Sequence, residues 1–116
     1  MEAQPEPLKA VVGIYAARLA MPWVRSLKEK RSLVRPVLEQ LKSRFPVSAA
    51  RLDETDSHAF ENVGFVVIGS SALWVERVLQ EAAAFLAQGD YGIEEERWQI
   101  EILDLSEATS TARYLP

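Results

Sequence analysis

The side chains of this chain with the clearest capacity for chemistry are cations. Positions 25 to 51 hold Arg25, Lys28, Lys30, Arg31, Arg35, Lys42, Arg44 and Arg51 against only Glu29 and Glu39, although the whole chain has a net charge of −4. Lys28, Arg31, Arg35 and Lys42 follow at steps of three, four and seven residues, the spacing that aligns side chains along one face of a helix. Such a row can neutralise several phosphates of one nucleic-acid segment and release their counterions. Arg25 and Lys30 complete the candidate RNA- or anion-binding set. A plain solvated helix face fits the same row, and the acidity of the rest of the chain opposes long-range steering of a polyanion.

Other chemical constellations are thinner. The single histidine, His58, stands near Asp53, Glu54 and Asp56, where a general base or a metal cluster could be imagined. A transition-metal site calls for further His or Cys ligands, and the glycine-centred calcium-loop spacing is absent, so a solvated turn is the expectation. With no cysteine in the chain, thiolate nucleophiles, disulfides and iron–sulfur ligation are excluded. Glu94, Glu95, Glu96 and Glu101 suggest paired carboxylates, but strand alternation would set Glu95 apart from Glu94 and Glu96, leaving them to solubilise an edge. Gly69-Ser70-Ser71 lacks the glycine-rich loop and lysine of a nucleotide-phosphate site and fits an ordinary helix cap. Trp23, Trp74 and Trp98 are expected to pack, with Trp23 partly exposed in a loop. No catalytic constellation emerges, so a non-enzymatic domain without a cofactor, metal or small-molecule ligand is expected.

These residues must be positioned by a chain of 116 residues, enough for one hydrophobic core. Residues 8 to 21 are rich in Val, Ile, Tyr and Leu, and read as a long first strand ended by Pro22. Ser26 and Glu29 have the capping-box spacing, and a helix is expected from Leu27 to Arg44. Its apolar stripe of Leu27, Val34, Val37, Leu38, Leu41 and Phe45 must face a sheet. Pro36 falls inside this stripe without breaking its phase, which predicts a kink near Ser32 rather than two helices. Val47 to Asp53 reads as a short strand, and Asn62 to Gly69 as a central one because it is apolar nearly throughout. A second helix is expected from Ala72 to Ala87, capped by Ser70 or Ser71 and closed by a left-handed Gly89. Ile93 to Leu103 alternates Glu95, Arg97, Gln99 and Glu101 with Trp98, Ile100 and Ile102, the pattern of a strand with one wet face.

The order strand, helix, strand, strand, helix, strand most economically forms an α+β, ferredoxin-like βαββαβ sandwich: a four-stranded, mainly antiparallel sheet with two helices on one face. The expected division is a tail over residues 1–7, a single domain over 8–104 and a second tail over 105–116. The acidic, proline-punctuated start is unlike a secretion signal, and no apolar run approaches the ~20 residues needed to cross a bilayer. A cytoplasmic location is therefore expected. Ile14, Ala16 and Ala20, if they lie on the uncovered face, would make it apolar for open water and suit a homo-oligomer, most simply a dimer.

Arg25-Ser26-Leu27-Lys28-Glu29-Lys30-Arg31 directly after the first strand, then Phe45-Pro46-Val47-Ser48 and Gly64 in a buried strand, resemble the DUF503 or YlxP-like family of small bacterial proteins. The resemblance spans roughly residues 11 to 103. It implies a ferredoxin-like fold and no established activity. It also implies an association with RNA or the ribosome, because the family is often encoded beside translation-initiation and ribosome-maturation factors. The pattern departs at His58, where a tryptophan is common, and at Arg51, where an acid is usual; no role of that tryptophan carries over.

Overall fold

The computed structural model describes residues 7–53 and 56–106. Its elements are β1 (Lys9–Ala20), α1 (Leu27–Arg44), β2 (Ser48–Leu52), β3 (Phe60–Gly69), α2 (Ala72–Leu86) and β4 (Gly92–Asp104). The four strands form one sheet in the order β2-β3-β1-β4, and every neighbouring pair is antiparallel. This is the split βαβ topology, with β1 and β3 in the centre as their apolar runs demand.

Local signals explain the helices. The Ser26 hydroxyl accepts the Glu29 N–H at 3.1 Å, while the Glu29 carboxylate reaches back to the Arg25 N–H at 3.0 Å. The first satisfies a donor that the first turn of α1 leaves free, and the second ties down the residue before the cap. The helix runs through Pro36 as one element of 18 residues. Ser32, whose carbonyl loses its partner to the proline ring, is exposed, so water can take over that bond. The helix stops at Phe45, which is extended ahead of Pro46, as sterics before a proline require.

Strand alternation places Val11, Tyr15, Ala17 and Leu19 of β1 and Val63, Phe65 and Val67 of β3 under the helices, against Val34, Leu38 and Leu41 of α1 and Val75, Leu79, Ala82 and Leu86 of α2. Gly13 of β1 permits the close approach of α2, since a Cβ there would stand 2.6 Å from Val75 Cγ1. Tyr15 lies at the centre of this core. Its ring stacks on Phe65 at 4.8 Å between centroids and meets the Trp98 ring edge-on at 4.7 Å, while its hydroxyl donates to Glu96 Oε2 at 2.7 Å.

Two expectations are corrected. Gly89 is not left-handed, for no glycine among the described residues has a positive φ. The end of α2 closes instead through the Gln88 and Gly89 N–H groups and the Tyr91 hydroxyl, which donates to the Leu86 carbonyl at 2.7 Å. Glycine is required at 89 for space: a Cβ would stand 2.1 Å from Tyr91 Cζ. The second correction concerns the glutamates of β4. A bulge breaks the pairing with β1 between Ala16 and Arg18, and Glu95 takes a left-handed φ of 51° there. The extra residue shifts the alternation, so Glu94 lies opposite Arg18 on the open face while Glu96 reaches Tyr15 on the helix side.

A candidate anion-binding cleft between the first helix and an edge strand

The α1 row survives folding in part. Lys28, Arg31 and Arg35 are exposed and border a shallow depression with Ser32 and Pro36. Among the described residues none of these three cations enters an ion pair, and the same holds for the exposed Arg25. Lys42 lies farther along the helix with its Nζ 3.1 Å from Glu39 Oε1. Both partners are open to water, so that pair holds the lysine weakly.

Arg31, Arg35 and Lys42 also form one wall of a cleft of about 350 Å³ between α1 and the edge strand β2. Arg51 of β2 stands across from them; Val34, Leu38 and Ala49 supply apolar lining, and Glu61 of β3 lies at its base. Four cations thus face two carboxylates, Glu39 and Glu61.

Lys30 does not share this surface, which corrects its place in the candidate set. It is only 1% exposed, with Nζ 3.2 Å from Glu61 Oε2. The same ammonium donates to the carbonyls of Ser57 at 2.6 Å and Phe60 at 3.3 Å. Lying three residues after Leu27 and four before Val34, it falls on the stripe that faces the sheet. Arg51 Nε reaches the same Glu61 oxygen at 2.9 Å. The other oxygen, Glu61 Oε1, is buried and has no hydrogen-bond partner among the described residues.

The remaining candidates take structural positions. Ser71 caps α2 by accepting the Trp74 N–H at 3.2 Å. His58 is exposed, and the described residues contain no group of three or more His, Cys, Asp or Glu side chains able to hold a metal ion; Glu54 lies outside the described residues. Trp74 and Trp98 are 42% and 48% exposed, so they pack on one side only, and Trp23 is 53% exposed. No described helix is long and apolar enough to cross a membrane.

Fold and cleft together define a class: a small α+β domain of split βαβ topology whose densest surface chemistry is a cationic helix face beside an edge strand. Residues 12–104 match the family described as a protein of unknown function, DUF503, and the chain belongs to it. It is 31% identical over 61 residues to the uncharacterised protein YlxP of Bacillus subtilis (strain 168). That match covers 53% of this chain and 66% of the relative, just under two thirds of its length. A de novo designed protein, Foldit4, is similar in backbone over 83% of this chain and 97% of its own, with 15% identity and a TM-score of 0.42.

Proposed function

We propose that this protein is a non-enzymatic accessory domain that contacts RNA, of the ribosome-linked kind its family resemblance implies, through the phosphate backbone and the α1 face. A cytoplasmic location goes with this reading. The observation that supports it is the row of Lys28, Arg31 and Arg35, exposed at helical spacing and without internal carboxylate partners among the described residues. Arg25 and Lys42 extend the row at its ends. On the open sheet face β4 offers Arg97, Gln99 and Glu101, since Trp98 pairs with Tyr15 on the helix side, and the Phe60 ring of β3 is covered there by the Arg18 guanidinium 4.2 Å from its centroid. Bases are therefore not stacked on the sheet as in aromatic RNA-recognition folds.

Reversing Lys28, Arg31 and Arg35 to glutamate together is expected to weaken binding to a structured RNA by about 100-fold at low salt. The dependence of log K on log salt should flatten by about 2 to 3, near one unit for each phosphate that is no longer neutralised. Fluorescence anisotropy across a salt titration measures both. Equal affinity and equal slope in the variant would remove this surface from consideration.

A second reading, self-association, is favoured by the open face itself. Ile14, Val66 and Ile68 are 45%, 37% and 67% exposed there, and the register places Ile14 against Val66 and Val12 against Ile68. Burying this patch against a second copy would relieve its exposure and leave α1 free on the opposite side. Sedimentation equilibrium at micromolar concentration is expected to give a dimer that Ile68→Lys dissociates; a monomeric wild type would reject the reading.

A further inference from the structure

We infer that the α1–β2 cleft is a nucleotide site, in which Glu61 Oε1 accepts a hydrogen bond from a base N–H while Arg31 and Arg35 hold the adjoining phosphate. The inference rests on the reading of α1 as an RNA-facing surface and deepens it, adding one recognised base to a backbone contact.

Glu61 is 1% exposed yet forms part of the cleft. Its Oε2 is held by Arg51 Nε at 2.9 Å and Lys30 Nζ at 3.2 Å, while Oε1 has no partner among the described residues. Buried polar atoms are nearly always satisfied, so an orphan on a side chain that lines a cleft calls for a donor that a group entering the cleft can bring. An ionised carboxylate only accepts; its complement is a donor. Unpaired nucleobases present such N–H donors on their edges, and glutamate accepting from a base amino group is an established pairing chemistry.

The surroundings fit the rest of a nucleotide. Val34, Leu38 and Ala49 provide apolar lining for a ring face, and the volume of about 350 Å³ lies within the usual range for small-ligand sites. Arg31, Arg35 and Lys42 line the cleft as phosphate donors. Lys30 and Arg51 neutralise the Glu61 charge, so the carboxylate does not repel an incoming phosphate. A neutral peptide would leave the arginine wall unused, whereas a nucleoside phosphate matches anion, ring and donor together.

The test compares an unstructured single-stranded ribo-oligonucleotide with an abasic strand of the same length and charge, using anisotropy on the full chain. A hydrogen bond to a charged acceptor corresponds to about tenfold or more in affinity, so the base-bearing strand is expected to bind at least about tenfold tighter. Ala49→Leu, which fills the cleft without touching its charges, is expected to bring it down to the abasic level. In parallel, titrating a ribonucleoside monophosphate is expected to shift the amide resonances of Leu38, Ala49 and Glu61; this measurement needs no variant to fold.

Base-bearing and abasic strands that bind alike, both weakened by charge reversal on α1, would overturn the nucleotide site and leave the backbone reading intact. No binding of either strand by a protein that binds structured RNA would overturn the nucleotide site alone, and no binding of these strands or of structured RNA would overturn both. Base selectivity that persists in a folded Ala49→Leu protein, or resonance shifts confined to other residues, would place base recognition elsewhere and overturn the cleft.

Discussion

Replacing Lys30 with methionine is expected to lower the unfolding free energy by about 3 kcal/mol, because removing one partner of a buried ion pair strands the other charge. Glu61 keeps Arg51 on Oε2, which holds the loss at the lower end of the usual range. The ammonium also donates to the Ser57 and Phe60 carbonyls, so the connection between β2 and β3 loses its tie to α1. For a domain of this size the thermal midpoint should fall by roughly 12 °C. Pairing the change with Glu61→Leu should recover most of the loss, since an apolar pair of similar volume often replaces a buried salt bridge at little cost. Denaturant titration of the two variants measures this. A single variant within about 0.5 kcal/mol of wild type, the ordinary range for surface substitutions, would show that the pair carries no structural weight.

The same pair shows what was legible beforehand. The six elements follow from hydrophobic period and caps because each is a local property, and the structure places them within about two residues of where they are expected, the usual slack at element ends. Lys30 is misplaced when sorted by charge, yet its spacing from Leu27 and Val34 assigns it to the buried stripe. Glu61 likewise keeps strand phase with Val63, Phe65 and Val67. Two opposite charges, each in register with a buried face, are the signal for a buried pair, and that signal is present in the sequence. What local pattern does not contain is the pairing of Arg51 with the same carboxylate, or the orphaned oxygen beside it. Both depend on the register in which β2 pairs with β3 across the connection between them, which the pattern of either strand alone does not set. The β4 bulge was illegible for a related reason, since Glu95 in a left-handed conformation has no local cue of the kind glycine or asparagine supplies.

Raising the pH above about 10 is expected to destabilise the protein more steeply than exposed tyrosines would allow. Burial pushes the Tyr91 hydroxyl up to about 12 from an ordinary 10.0. Tyr15 is raised further, by burial first and then by its hydrogen bond to the Glu96 carboxylate and the charge of that group. A folded value above the unfolded one means that the native state binds the proton more tightly. The contribution is complete below the unfolded value and is lost as pH climbs through the folded one. Each group can remove at most about 1.4 kcal/mol per pH unit in that window, so the loss through Tyr91 is on the order of 2 kcal/mol by its folded value. Structure gives the loss a direction: an ionised Tyr15 would set two anions at hydrogen-bond distance and release the bulged end of β4, while an ionised Tyr91 could no longer donate to the Leu86 carbonyl. Urea midpoints followed from neutral pH upward should therefore fall beyond pH ~10, and Tyr15→Phe or Tyr91→Phe should each make that fall shallower, whatever either costs at neutrality. A decline of unchanged steepness in both variants would assign the alkaline transition to other groups.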